Sequence, residues 1–434
     1  MNTTFSDGKQ YDETTPVLIV GGSLVGLSTA LFLSWHGIQP LLVERHPGVS
    51  PFIRAGGFSP RTMELYRSVG IEPAIRQKES QGLQNFMILR VESLAGKELG
   101  SYTQSVRDLS TPASPAPGSL ITQDILEPIL RAEAEKLGGD LRFNTQLLSS
   151  EQDADGVSAV IRDLSSGEKR TVRARYLIAA DGNDSPLREH LGIKVHGPGT
   201  LSNQMFMIFK ADLRNALRGR PVLFCYVSNP QVPEGAIGAY PDGLGGILSF
   251  SYHPEKGESE ADFAGPGGIE LVRIAVGEPN LDVELVSLRA WAMAAFVAER
   301  FQHGRIFFVG DSAHVMPPTG GFGANTGIAD AHNLAWKLAL VLKGQAGPDL
   351  LISYEAERRP VAQLTVDQAF ANFVERMAPH LASQSTAPKI DHYAVILGYR
   401  YFSSAVLSSV EEGQGYENPN TPTARPGFRA PHVQ

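Results

Sequence analysis

The residues whose types and spacing most directly suggest chemistry lie between Gly304 and Lys343, GRIFFVGDSAHVMPPTGGFGANTGIADAHNLAWKLALVLK. Arg305 to Val309 is a short run of β-branched and aromatic residues, the pattern of a buried strand. Gly310-Asp311 ends it and leaves a carboxylate at the strand's carboxyl end, where ligands bind in open α/β sheets. Pro317, Pro318, Gly320, Gly321 and Gly323 then fall within seven residues, so this loop offers backbone N–H groups and close approach rather than side chains. Ala324 and Asn325 lead into a helix, with Asn325 or Thr326 as candidate N-cap and Ile328, Ala331, Ala335, Leu338 and Leu342 along one face. A glycine loop feeding a helix N-terminus suits an anion, and the flanking Asp and Asn suit a ligand with hydroxyls as well as phosphates. A plain strand-to-helix turn needs one or two glycines, fewer than stand here.

A second nucleotide-type turn, Gly21-Gly22-Ser23-Leu24-Val25-Gly26, sits between an expected strand at Val17–Val20 and an expected helix from about Val25 to His36. Gly37 stops that helix, and a second strand follows at Pro40–Val43. The dinucleotide fingerprint asks for Gly-x-Gly-x-x-Gly in this context. Gly21 and Gly26 fit, giving the tight turn and the close helix–strand contact. Ser23 replaces the middle glycine, and its hydroxyl could donate to a phosphate. Glu44 lies 23 residues past Gly21 at the end of the second strand, where an acidic side chain reaches a ribose. The alternative for Glu44 is an exposed strand-end charge.

The 304–343 stretch resembles the second FAD-binding motif of the para-hydroxybenzoate hydroxylase-like, single-component flavoprotein monooxygenases, and more narrowly the aromatic polyketide hydroxylases. Two further phrases carry the resemblance: Arg54-Ala55-Gly56-Gly57, and Asp181-Gly182 followed by Ser185 and Arg188. It spans roughly residues 15–380 with the motifs in the family's order. It implies that Asp311 holds the ribityl chain and that Pro318 to Asn325, through Gly321, Gly323 and Ala324, passes the pyrophosphate and the flavin's pyrimidine edge. Arg54 would lie against the flavin, Arg45 would help to receive NADPH, and Gln123 at a helix start would contact FAD. Asp181 and Gly182 would serve both flavin and pyridine nucleotide. Without the resemblance, Arg45 and Arg54 read as solvated charges, Gln123 as a ligand-free helix residue, and Ser185 and Arg188 as a cap and a brace.

The implied fold is α/β: a Rossmann-like FAD-binding domain of the GR2 type, a mostly antiparallel substrate sheet and a C-terminal helical region. The implied chemistry is reduction of FAD by NADPH or NADH and addition of O₂ at flavin C4a to give a hydroperoxide. Oxygen then passes to a phenolic, polycyclic polyketide-like ring. The cofactor carries that chemistry, which fits the lack of any obvious protein nucleophile or acid–base pair. The catalytic group that favours phenolate is unknown at this level. A Baeyer–Villiger or epoxidising monooxygenase would share every motif. A flavin reductase or a non-catalytic flavoprotein is the alternative from another class.

Composition sets the outer bounds. The chain has 434 residues, 42% hydrophobic and 19% charged, as expected of a globular protein of two or three domains. A net charge of −8 argues against nucleic-acid or anionic-membrane partners; the resemblance implies a small aromatic substrate, and a monomer or homodimer is expected. Cys225 is the single cysteine, read as a core residue, and a reducing, cytoplasmic setting fits. No Cys/His spacing suggests a metal. Val17 to Trp35 is uncharged over 19 residues, but its glycines and hydroxyl residues favour a buried strand, turn and helix over a membrane span. His314 lies inside the Gly-Asp phrase and is read as structural.

The expected organisation is a disordered tail at 1–14, then an FAD-binding domain from 15–82, 119–190 and 290–345. A substrate sheet comes from 83–118 and 191–289, and 346–434 form a helical region with an irregular tail. Tyr226, Tyr240 and Tyr252 are candidates to face a substrate, although strand periodicity does not say which face they take. In the larger polyketide hydroxylases a phrase like Thr421 to His432 leads into a thioredoxin-like domain; here the chain ends, reading as a short relative or a truncated product.

Overall fold

The computed structural model describes residues 10–49, 55–79, 87–102, 111–384, 387–407 and 415–432. Its first sheet has a parallel core in the order Ile306–Phe308, Lys169–Ala179, Glu13–Val20, Leu41–Val43, Asp140–Arg142. Val17, Leu18 and Ile19 are fully buried, as an unbroken apolar run demands when both faces of a strand are covered. An antiparallel hairpin, Thr145–Gln152 with Val157–Asp163, extends from Lys169–Ala179. The Leu24–Trp35 helix is buried almost all round, packed against the Gln123–Lys136 and Phe322–Leu342 helices. That position explains its membrane-like composition. Among the described residues no helix is long and apolar enough to cross a membrane.

The second sheet runs His314–Val315, Glu284–Ala298, Val195–Lys210, Gly246–Ser251, Val232–Ala239, Val222–Asn229, Met87–Val91, Glu98–Ser101. Its pairs are antiparallel except Val222–Asn229 with Met87–Val91. Met205, Met207, Phe209, Leu248 and Phe250 share a core with Val272, Ala275 and Val276 of the Pro266–Val276 helix. Cys225 is buried in that core, and burial pushes its thiol up to about 12, so it is a small apolar residue.

The Ile352–Arg376 helix spans 25 residues and connects the layers. Pro360 lies inside it, and tertiary packing of both flanking halves holds the helix continuous. Two other expectations shift. Residues 10–14 are ordered: Tyr11 bonds Ser158 at 2.6 Å, Thr171 donates to Asp12, and the first strand starts at Glu13. Glu284–Ala298 stays in the second sheet across the expected 289/290 boundary, because it pairs with Val195–Lys210 along nearly its whole length.

Candidate functional site: a cofactor edge and a substrate cavity

The parallel strands end side by side, with Val20 opposite both Val43 and Ala179, and Phe308 opposite Ala179. The turns that follow them therefore share one edge: Gly21-Gly22, Glu44-Arg45, Asp181-Gly182 and Gly310-Asp311. Gly21 adopts φ +109°, and a Cβ there would lie 2.1 Å from the Ala180 carbonyl oxygen. At Gly26 a Cβ would lie 1.9 Å from the Gly21 oxygen, so the helix could not pack against the turn. Gly22 donates to Glu44 Oε2 at 2.7 Å, and His46 N–H donates to Oε1 at 2.8 Å. Arg45 and Asp311 are exposed on the same edge.

Asp181 accepts from the Ser185 hydroxyl at 2.7 Å and from Leu187 N–H at 3.2 Å. Burial pushes its carboxyl above the ordinary value, against those two bonds and the Arg188 charge. Ser185 caps the short helix behind it, and Arg188 ties the turn to the neighbouring strand end by donating to the Ser312 and Asn183 carbonyls at 2.9 and 2.8 Å. Both expected bracing roles hold.

Whether FAD fits is decided by two helix starts. The Leu24–Trp35 and Phe322–Leu342 helices have neither a capping side chain nor an acidic residue in the first turn, so their leading amides can receive an anion. The helices approach closely near these ends, since a Cβ on Gly327 would meet Val25 at 2.6 Å and the Gly310 Cα at 3.0 Å. Gly182 and Gly321 face open space where a Cβ would meet nothing within 4 Å. The residues present suit a dinucleotide with hydroxyls and two phosphates.

Several sequence assignments need correction. The second helix starts at Phe322 with Gly321 as N-cap, not Asn325 or Thr326. A left-handed residue at φ +67° turns the chain there, which only the glycine run allows without strain. Asn325 instead ties the helix to the 57–62 segment, accepting from Ser59 N–H at 2.8 Å and Thr62 Oγ1 at 2.5 Å while donating to the Gly321 carbonyl. The Ser23 hydroxyl donates to Glu127 Oε1 at 2.7 Å and accepts from Gln123 Nε2 at 2.9 Å, so its proton is directed away from a phosphate. Glu127, buried and one helical turn after Gln123, had no signal in the sequence. Pro318, Gly323 and Ala324 lie on the loop and first turn of the second helix. Arg54 lies outside the described residues.

Behind the Gly310-Asp311 turn is a buried charge cluster. Asp330, fully buried, accepts from Gly310 N–H at 3.2 Å, pairs with His314 Nε2 at 2.6 Å, and accepts from Arg358 Nε at 2.7 Å. Burial alone would raise this carboxyl, but the Arg358 and His314 charges outweigh it and hold the pKa below the ordinary value. Arg358 also bonds the Tyr401 hydroxyl at 3.1 Å. His314 thus has the expected structural role.

The second sheet supplies a cavity of about 160 Å³, lined by Arg90, Tyr226, Glu234, Gly235, Arg376 and Met377 among others. On the same measure one water needs only ~10–15 Å³. Arg376 ends the long helix. Its Nη1 donates to the Tyr226 hydroxyl at 3.4 Å, its guanidinium lies 5.0 Å from the Tyr102 ring centroid, and its Nε is buried without a hydrogen-bond partner. Burial raises the Tyr226 pKa and outweighs Arg376, so this side chain stays a phenol that can donate. Tyr240 does not join it. It sits at the far end of the Val232–Ala239 hairpin, bonded through its backbone to Gly243 and Gly245, while Ala236 is the residue opposite Tyr226. Tyr252 packs against the sheet's own core.

A doubly layered α/β fold with this edge of turns defines a flavoprotein, and comparison with known proteins agrees. The chain belongs to the family described as FAD binding domain, matched over residues 14–369. It is 46% identical over 432 residues to 4-methyl-5-nitrocatechol 5-monooxygenase of Burkholderia sp, covering 97% of this chain and 79% of that one. It is 42% identical over 429 residues to aklavinone 12-hydroxylase of Streptomyces purpurascens, covering 97% and 80%. Among solved structures, a ternary complex of aklavinone-11 hydroxylase with FAD and aklavinone superposes with a TM-score of 0.92 at 42% identity, over 97% of this chain and 80% of that one. The flavin-dependent monooxygenase PieE, solved with FAD and substrate, gives 0.87 at 30% identity, over 98% and 81%. The protein is an FAD-dependent monooxygenase of the para-hydroxybenzoate hydroxylase-like fold.

Proposed function

We propose that the chain hydroxylates a phenolic aromatic substrate of the polycyclic polyketide type, with NADPH or NADH as electron donor, and that the Tyr226–Arg376 cavity receives the phenolic end. The observation that carries this reading is Arg376: a half-buried guanidinium whose buried Nε has no partner, beside a tyrosine that stays protonated, in a cavity large enough for an aromatic ring. FAD, when bound, supplies the redox chemistry and the activation of O₂.

The chain's own residues position and polarise. Gly21, Gly22, Gly26 and the two open helix starts receive the pyrophosphate, Glu44 faces a ribose, and Asp311 with Asp181 lies along the remaining hydroxyl-bearing length. Ser23, Gln123 and Glu127 fix the first turn from behind, and Arg45, exposed beside Glu44, is the candidate for the pyridine nucleotide. Arg376 favours the ionised form of a substrate phenol by placing a positive charge beside its oxygen, and Tyr226 donates to the same oxygen. An electron-rich phenolate ring is what electrophilic oxygen transfer requires.

The test is NADPH consumption by the purified holoprotein under ¹⁸O₂ with a panel of phenols, including 4-nitrocatechol and aklavinone. The expected result is phenol-stimulated turnover with one labelled oxygen on an intact ring. A label inside an expanded ring would move the reading to Baeyer–Villiger chemistry. Turnover with no label in any product would overturn it.

A further inference from the structure

Glu234 has a backbone that costs energy and a side chain the proposed mechanism does not use. It lies inside the Val232–Ala239 strand at φ +47°, the left-handed region where glycine is at ease and an L side chain is strained. Among the described residues, the other non-glycine residues with positive φ, Asn144, Ser185, Arg218 and Ala424, all lie outside strands. The strain coincides with an irregularity in pairing. Val227 faces Gly235 and Asn229 faces Val232, so the Glu234 strand carries one extra residue, a β-bulge. Bulges re-aim side chains and recur beside active sites.

This bulge places Glu234 on the cavity wall together with Tyr226 and Arg376. Its carboxylate is held there. Gln204, fully buried, donates to Oε2 at 3.0 Å, and Gln204 is itself fixed by Ser202 at 2.9 Å and by Ser249 at 3.1 Å. Burial raises the Glu234 pKa, opposed by the Ser202 hydrogen bond, by the charges of His380 and His253, and by Gln204. Glu234 and Arg376 line one cavity without forming an ion pair with each other, so that both can address a ligand between them. A strained backbone, a pre-set carboxylate and an unpaired opposite charge are the marks of a recognition device rather than of a sheet that tolerates an error.

We propose that Glu234 is a specificity-determining residue, accepting a hydrogen bond from a second hydroxyl of the substrate while Arg376 and Tyr226 hold the phenolic oxygen to be activated. The preferred ligand class is then a diol or polyhydroxylated ring system over its singly O-methylated counterpart. This rests on the cavity being the substrate site.

The test uses holoprotein as wild type, E234A, E234G and R376M. The probes are 4-nitrocatechol and aklavinone, each against a mono-O-methyl ether, and the readouts are flavin fluorescence titration and steady-state kinetics. In the wild type the free diol binds on the order of tenfold or more tightly than the ether, the range expected for a hydrogen bond to a charged acceptor. E234A and E234G lose that preference and raise KM with kcat little changed, whereas R376M lowers kcat. E234G, which relieves the left-handed strain, raises Tm while losing discrimination, so a folding defect is separable from a recognition defect. If E234A and E234G keep the wild-type KM and diol-to-ether ratio while R376M still lowers kcat, Glu234 has no recognition role and the cavity reading stands. If the wild type binds none of the probes, or R376M matches it throughout, the cavity reading falls and this inference with it.

Discussion

The cofactor edge and the cavity proposed for the substrate are built on opposite principles. At the edge, specificity lies in backbone. Gly21 and Gly26 leave no room for a Cβ, two helix starts offer bare amides, and the nearby carboxylates of Glu44, Asp181 and Asp330 already bond this chain's own N–H groups. In the cavity, the proposed specificity rests on side chains left partly unsatisfied: the Arg376 Nε has no partner, and Glu234 sits in a strained bulge. The edge can stay constant while substrates change, because its ligand is the same dinucleotide. The cavity can be retuned one side chain at a time.

That contrast can be broken from either side. Gly26→Val should have the largest effect, since any side chain there overlaps the Gly21 carbonyl; the purified protein is expected to carry no visible flavin absorbance. Next, Asp330→Asn leaves Arg358 buried without its charge partner, an effect of about 3–5 kcal/mol by urea unfolding. The same carboxylate sets an acid dependence. Its pKa is depressed in the fold, so the stability it lends is full above the unfolded value of ~3.9 and is lost as pH falls through the lower folded value. Asp330→Asn should remove that acid step from a stability–pH profile.

On the cavity side, Arg376→Met should keep full flavin content yet lose roughly 10²–10³-fold in kcat/KM, with the activity profile moved to higher pH because the substrate must ionise unaided. A loss of flavin in this variant would show that the two regions are not separate. The smallest expected effect sharpens the comparison. Ser23→Gly restores the usual glycine and leaves Gln123 bonded to Glu127 at 2.7 Å, so FAD affinity should change little while about 1 kcal/mol of stability is lost.

The same contrast explains what could be read from sequence. Backbone-specified sites leave glycines, prolines and strand-end acids at fixed spacing, so the turns at 21–26, 44, 181–182 and 310–311 were legible. The exact helix start was not, because Asn325 looks like a cap until Gly321 is seen to turn left-handed. Glu127 and Asp330 were missed because each acts on residues distant in sequence, and no local pattern marks a buried carboxylate that braces a turn. Arg376 closes a long helix like any C-terminal cation, and Glu234 stands in an ordinary strand. Only the meeting of the second sheet with that helix brings them to one cavity and suggests the role proposed for each. Tyr240 shows the converse: it shares a strand region with the cavity but not its end.

The scattering of the cofactor edge along the chain also has a consequence in time. The strand Glu13–Val20 leaves the ribosome early, but Ile306–Phe308, which completes the same parallel sheet beyond Lys169–Ala179, and the second helix start come much later, roughly 15–60 s at ordinary rates of synthesis. For that interval the first glycine turn has neither its neighbour nor its ligand, and FAD cannot act as a scaffold for a cradle that is half made. The turns must hold their shape before the flavin arrives. The bonds from Gly22 to Glu44, from Ser185 to Asp181 and from Gly310 to Asp330 let a newborn, empty protein wait in a form that cofactor can enter.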